Sequence, residues 1–282
     1  MDDPHDLPLD RPDPARSFGS VADAYDRARP SYPRDAAAWL AGSRPGDVLE
    51  LGAGTGKLTA QLTALGHRVV ATDPDEEMLG YLARHEAGAA VVCGTAEHIP
   101  VRTRSVDVVV AGQAFHWFDL TRALPEVARV LRTGGEIALT WNLRDERIPW
   151  VRRLGKLIGT PWQQNDPTHA LLASNLFGFV ESKTFRQWHT LDREGLRDLV
   201  RSRSNIAVMS ELERERVLRK VDELYESYGR GADGMQLPYV THCYKAVVRP
   251  TALPDLDDGG PVRLAAQGSD GADTDALLID FS

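Results

Sequence analysis

The sequence is short of cysteine, of lysine and of long apolar runs. Only Cys93 and Cys243 occur in 282 residues, far apart and with no second Cys or His near either at metal-ligand spacing. This excludes a disulfide framework and supplies no metal motif, so no metal is expected and a reduced, cytoplasmic compartment is the natural setting. No apolar stretch approaches the roughly 18 to 20 residues of a membrane span. The N-terminal "MDDPHDLPLD" lacks the positive-then-apolar order of a secretory signal. No membrane association follows from such a chain. Of 33 basic residues only Lys57, Lys156, Lys183, Lys220 and Lys245 are lysines.

An excess of positive charge is also missing. The formal net charge is −8, and it is unevenly placed. Residues 1 to 16 carry net −3 and residues 251 to 282 carry net −6, which leaves the middle at +1. Nucleic-acid binding needs clustered Lys and Arg to displace phosphate counterions, and no such cluster is recognisable, so no nucleic-acid partner is expected.

What is present suits a globular unit with disordered ends. Residues are 42% hydrophobic and 26% charged, ample for a core. Pro, Asp, Gly and Ser crowd both termini, where few large apolar residues offset ordering entropy. We divide the chain into a disordered tail at 1–16, a domain at 17–250 and an acidic flexible tail at 251–282. The last seven residues, "ALLIDFS", form a short apolar motif that could dock a protein or peptide partner.

From Pro45 onward, short β-branched runs alternate with helical-period segments, the pattern of an α/β protein with a parallel sheet covered by helices. The candidate strands are Val48 to Leu51, Arg68 to Thr72, Ala90 to Cys93, Val106 to Ala111 and Glu136 to Trp141. Their spacing of about 20 to 25 residues is that of a doubly wound sheet. Leu58, Leu62 and Leu65 mark one helical face, stopped at Gly66. Val127, Val130 and Leu131 repeat the device, stopped at Gly134 and Gly135. After Trp141 comes a mostly helical insertion at about 145–235. Within it, Glu211 to Tyr228 reads as an amphipathic helix. Gln236 to Val248 reads as a closing strand, with Phe179 to Trp188 its candidate partner.

The sharpest signal is "VLELGAGTGKLT", Val48 to Thr59. Gly52, Gly54 and Gly56 are spaced G-x-G-x-G, which lets a backbone turn tightly and approach a ligand. A dinucleotide loop would place its third glycine one residue later. Glu50 adds a carboxylate beside the loop, awkward for a phosphate and natural for an ammonium or sulfonium group. Asp73 ends the second strand, 21 residues beyond Gly52, where a carboxylate can accept from both hydroxyls of an unphosphorylated ribose. Thr95 and Ala96, in "VVCGTAEHIP", are placed to address an adenine edge.

This ordered set resembles the class I S-adenosylmethionine-dependent methyltransferases, over about Phe18 to Val248. More narrowly, "FGSVADAYDRARPSYP", "HWFD", "WNLRDERIPWV" and "LPYVTHCYKA" are similar to the type 11 branch, which contains trans-aconitate and many natural-product methyltransferases. The resemblance implies a Rossmann-like seven-stranded sheet of order 3-2-1-4-5-7-6, its last strand antiparallel, with an N-terminal lid helix and the helical insertion. It implies S-adenosyl-L-methionine as cofactor and a small-molecule acceptor as partner. By position, Gly52, Ala53, Gly54 and Gly56 would line the amino-acid part of the cofactor, beside Glu50. Asp73 with Pro74 would hold the ribose, Met78 would pack near the adenine, and Thr95 and Ala96 would meet its edge. Many relatives have Asp where Thr95 stands, so that contact lacks charge here. Tyr25 and Arg29 fall on the lid, where Arg29 could pair with the methionine carboxylate, and Gln113 flanks the site.

Methyl transfer from a sulfonium is an in-line displacement, so alignment and exclusion of water can supply most of the catalysis. A hydroxyl acceptor benefits from a general base and a carboxylate acceptor needs none. His116, in "GQAFHWFD", is the candidate base, and the alternative is a wall residue that holds the loop. Trp117 would shape the acceptor pocket, and Arg144, Arg203 and Tyr239 could bind an anionic acceptor. Solvation or pairing with Glu211, Glu213 and Glu215 is the alternative for the arginines. Three other readings stay open: a cyclase or isomerase that holds the cofactor structurally, a peptide or protein methyltransferase docked through the tail, and, more distantly, an NAD dehydrogenase.

Overall fold

A computed structural model describes residue 26 and residues 28–159, 166–228 and 234–252. The tail segments 1–16 and 253–282, "ALLIDFS" included, and Tyr25 of the lid lie outside the described residues.

One seven-stranded sheet organises the chain. Its strands are β1 (Asp47–Leu51), β2 (Arg68–Asp73), β3 (Ala89–Cys93), β4 (Val106–Gly112), β5 (Leu131–Arg144), β6 (Phe177–Leu191) and β7 (Met235–Val248). They lie in the order β3-β2-β1-β4-β5-β7-β6. Pairs among β1 to β5 are parallel, and β7 runs antiparallel to both β5 and β6. This is the order and polarity that the resemblance implies. The order reverses between β1 and β4, so the crevice beyond the carboxyl ends of those two strands is where a ligand belongs.

Helices cover both faces. On one side α1 (Arg34–Ala41) and α2 (Thr59–Ala64) pack Leu40 and Leu62 against Val48, Val69 and Val110. On the other, α4 (Leu120–Val130) packs Ala123, Leu124 and Val127 against Leu49, Val109 and Ile137. β1 is buried along its whole length and its side chains alternate between these two cores, as expected for a strand covered twice. α3 (Glu76–His85) follows β2 and is capped by Asp75, whose carboxylate accepts from the N–H groups of Glu77 and Met78. Asp119 caps α4 in the same way, through Thr121 N–H, and Pro125 lies inside that helix.

The insertion builds its own core. α5 (Pro149–Ile158), α7 (Arg193–Arg201) and α9 (Glu211–Tyr228) pack Val151, Leu154, Leu196, Leu199, Leu218 and Val221 together with Leu237 and Tyr239 from the start of β7. Two short helices, α6 (Thr168–Ala173) and α8 (Ser204–Ala207), complete it. β6 belongs to this region by sequence yet forms one edge of the main sheet, a 15-residue strand with β7 as its partner.

Local differences from the sequence reading are instructive. Gly66 follows the end of α2 with φ of 88°, as a helix stop should. Gly134 and Gly135 do not stop α4. That helix ends at Val130 because Leu131 is already extended and pairs with Val106, so both glycines lie inside β5. At this lower end of the sheet Arg132 Nη1 donates to Asp47 at 2.8 Å and to Asp107 at 2.7 Å, tying the starts of β1, β4 and β5 together.

Candidate active site

The Gly-rich loop leaves β1 and is braced from β2. Ala53 N–H donates to Thr72 O at 3.0 Å, and Gly54 N–H donates to Asp73 Oδ2 at 2.9 Å. Asp73 Oδ1 accepts from Asp75 N–H at 2.9 Å, so this carboxylate joins the loop to the turn that caps α3. Burial raises the Asp73 pKa, and the two backbone N–H groups oppose that rise. Gly52 has φ of 67°, and a Cβ there would sit 2.4 Å from that of Ala114. No other residue fits: the loop after β4 crosses directly over it.

Glu50 lies beneath the loop, fully buried, where Thr59 Oγ1 donates to its Oε2 at 2.6 Å. Burial, aided by the neighbouring Asp73 and opposed by Thr59, pushes its pKa up to about 8. The standing negative charge read from the sequence is therefore corrected. Near neutral pH Glu50 keeps its proton unless a cation lies against it.

The β4 loop carries strain. Gln113 has φ of 59°, uncommon for a residue with a side chain, and its N–H donates to Thr140 O at 2.9 Å while Nε2 donates to Asn142 O at 3.1 Å. A short 3₁₀ turn, Phe115–Trp117, then presents His116 and Trp117. Burial lowers the His116 pKa, which favours the neutral imidazole.

The Gly-rich loop, Glu50 and the β4 loop open on a cavity of 420 Å³. Of the residues singled out by sequence, Arg29, Glu50, Gly52, Ala53, Gly54, Gln113, His116, Trp117, Arg144, Arg203 and Tyr239 line it. Gly56, Asp73, Pro74, Met78, Thr95 and Ala96 do not. Asp73, Met78 and Ala96 are buried beside the ends of β2 and β3, Pro74 is half-buried, and Thr95 is exposed. Tyr25 lies outside the described residues.

Residues 28 to 32 form a strap across this cavity. Ala28 O is met by His189 Nε2 at 3.0 Å, Ser31 O accepts from Asn142 Nδ2 at 3.2 Å and from Gln187 Nε2 at 3.0 Å, and Arg29 donates to Ser202 O at 3.2 Å. Tyr32 ends the strap with its hydroxyl against Gly112. Sequence reasoning missed Tyr32, Lys57 and Asn142 in the cavity wall, and only the nearness of Lys57 to the Gly-rich loop could have signalled one of them.

Arg144 and Arg203 do not behave as surface arginines. Arg144 is buried and donates to Gly159 O at 2.8 Å and to Glu146 Oε1 at 3.3 Å. The Arg203 pKa falls to about 9 through burial and the proximity of Arg144 and Arg29. Glu213 instead takes part in capping α9, accepting from Ser210 Oγ at 2.6 Å. Among the described residues no group of three or more His, Cys, Asp or Glu is arranged to hold a metal, and no helix is long and apolar enough to cross a membrane.

A glycine cradle at the switch point of a doubly wound sheet, with a buried carboxyl below it and an acidic strand end beside it, suits a ligand that combines a cationic amino-acid end with a ribose. A family model described as a methyltransferase domain matches residues 49–139. A methyltransferase of uncharacterized activity from Mycobacterium tuberculosis is 43% identical over 241 residues, covering 84% of this chain and 98% of its own. A malonyl-[acyl-carrier protein] O-methyltransferase from Methylococcus capsulatus is 36% identical over 149 residues, covering 48% and 54% respectively. Among solved structures, a candidate type II methyltransferase from Anaeromyxobacter dehalogenans superposes with a TM-score of 0.61 at 26% identity, over 80% of this chain and 99% of that one. The chain belongs to the class I S-adenosylmethionine-dependent methyltransferases. It is a methyltransferase whose cofactor is S-adenosylmethionine.

Proposed function

We propose that this enzyme methylates an oxygen atom, carboxylate or hydroxyl, of a small-molecule acceptor in the cytoplasm, in the setting of natural-product metabolism that the branch resemblance implies. The observation that carries the reading is the convergence of His116, Arg144, Arg203 and Tyr239 on the same cavity as Gly52 and Gly54. A cavity of 420 Å³ suits small ligands rather than a folded protein surface. The O-methyltransferase among the relatives supports oxygen as the acceptor atom.

When bound, S-adenosylmethionine supplies an electrophilic methyl group on a sulfonium. The chain supplies the rest. In this reading Gly52, Ala53 and Gly54 with Glu50 hold the amino-acid end, joined by Arg29 and Gln113. Asp73 and Pro74 take the ribose, and Met78, Thr95 and Ala96 take the adenine. The strap excludes water, and Phe115, Trp117 and Trp141 shape the acceptor wall. Neutral His116 can accept a hydroxyl proton, whereas a carboxylate acceptor leaves it a positioning role.

The test is to incubate the enzyme with methyl-labelled cofactor and a panel of short-chain carboxylic, hydroxy and amino acids, and to follow the label by NMR. An O-methyl product is expected. Label found only on nitrogen or carbon, or unmethylated but isomerised acceptor, would overturn the reading.

A further inference from the structure

The strap at residues 28 to 32 is fastened through two of its main-chain carbonyls. Ala28 O is met by His189 Nε2 at 3.0 Å, and Ser31 O accepts from Asn142 Nδ2 at 3.2 Å and from Gln187 Nε2 at 3.0 Å. A backbone carbonyl is present whatever side chain its residue carries, so the sequence information in these bonds resides in Asn142, Gln187 and His189. Arg29, Pro30 and Tyr32 of the strap line the cavity, and so does Asn142. Gln187 does not, yet it holds the segment that does.

Three neighbouring strands orient the Asn142 amide. Asn142 on β5 stands opposite Thr241 on β7, and Gln187 comes from β6 on the far side of β7. The fully buried Thr241 donates through Oγ1 to Asn142 Oδ1 at 2.6 Å, and Gln187 Nε2 donates to the same oxygen at 2.9 Å. Both lone pairs of that amide oxygen are thereby engaged, so the Nδ2 end is the one turned to Ser31 O. Gln187 Nε2 has three acceptors within reach, Ser31 O, Asn142 Oδ1 and Thr241 Oγ1, the last at 3.2 Å. An oxygen in its place would meet three other oxygens. Asn142 also touches the catalytic turn, because its own carbonyl accepts from Nε2 of Gln113, which precedes His116 in the β4 loop.

We propose that Gln187 and Thr241 are positioning residues that set Asn142 as a latch on the strap, and that release of this latch governs exchange of S-adenosylmethionine for S-adenosylhomocysteine. Exchange needs the strap to lift, and lifting it parts Ser31 O from both amides at once. Opening of a closing segment, rather than chemistry, commonly limits turnover in enzymes that enclose their ligands. Gln187 makes no bond to the ligand in this account and acts through the strap alone. The proposal concerns the cofactor side of the cavity and holds whichever acceptor atom is methylated.

The experiment measures association and dissociation rates of S-adenosylhomocysteine on the immobilised full chain by surface plasmon resonance. Wild type is compared with Gln187→Glu, Gln187→Met and Thr241→Val, and with Ser182→Ala on the same strand as a control. A loosened latch speeds passage in both directions, whereas a distorted site speeds dissociation alone. In Gln187→Glu, where a carboxylate faces the three acceptors, we expect dissociation to rise at least about tenfold and association at least about threefold. Gln187→Met and Thr241→Val should raise both rates by smaller factors, and Ser182→Ala should stay within about twofold of wild type. These two near-isosteric variants decide the matter if Gln187→Glu does not fold. Unchanged rates in the Gln187 variants, or faster dissociation with association unchanged or slower, overturn the proposal. In that event an O-methyl product in the labelling experiment leaves the acceptor reading standing.

Discussion

Glu50 is a carboxyl group whose charge depends on what lies beside it. Its folded pKa of about 8 stands above the ordinary value near 4.5, so the folded state holds a proton that the unfolded chain releases. The associated stability is fully present below about pH 4.5 and is lost as pH rises toward 8. In Glu50→Gln no proton is released. The melting temperature of the variant relative to wild type should therefore climb steadily between pH 5 and pH 8.5 without cofactor. Calorimetry showing a pH-independent gap would contradict the burial argument. His116 invites a paired measurement. If the product is an alkali-stable methyl ether, His116→Ala should lower kcat by about 10² to 10⁴; if it is an alkali-labile ester, kcat should change by less than about tenfold. The crossed combinations would remove the role given to His116. At this scale the local motif was legible: Glu50, Gly52 and Gly54 share one loop, and Asp73 ends the neighbouring strand where Gly54 N–H meets it. Arg144, Arg203 and Tyr239 were named together from the sequence, but their burial in the same wall as the Gly-rich loop was not legible, since each comes from a different part of the chain and only tertiary packing brings them to one cavity.

Elements were read well where burial repeats and poorly where it changes. The strands of the parallel half were found within one residue at most ends, because two-sided burial writes continuous β-branched runs. β5 was read too short at both ends. Its first residues, Arg132 to Gly135, have the composition of a turn and are drafted into the sheet by pairing of Leu131 with Val106. Arg132 is the cost and benefit of that arrangement: its guanidinium bridges Asp47 and Asp107 far from the carboxyl-end crevice. Arg132→Ala should lower unfolding stability by about 1 kcal/mol, a figure already discounted for its partial exposure, and leave S-adenosylhomocysteine affinity unchanged. Denaturant titration and calorimetry check both halves, and a loss of affinity would mean that this end is coupled to the site. The strap was legible only through family resemblance, since its bonds to His189, Gln187 and Ser202 span more than 150 residues.

At the scale of the whole molecule the strand order, the switch point and the cofactor class followed from one ordered motif set, while the position of the acceptor wall did not. That wall is assembled where the insertion core meets the ends of β5 and β7. The same insertion leaves β6 as a long sheet margin. Phe179 is 82% exposed and Trp188 64% exposed, and Glu181, Lys183 and Arg186 stand between them. Among the described residues β6 pairs with β7 alone, and a 15-residue margin of this kind is a template for self-association that interspersed charges oppose. Replacing Lys183 and Arg186 together by serine should speed aggregation on mild heating, seen by light scattering, with S-adenosylhomocysteine affinity intact. Unchanged scattering would show that the twist of the margin already suffices. Lys183 and Arg186 stand apart from the residues that line the cavity, so the behaviour of this sheet margin and the binding of ligands are expected to respond to separate substitutions.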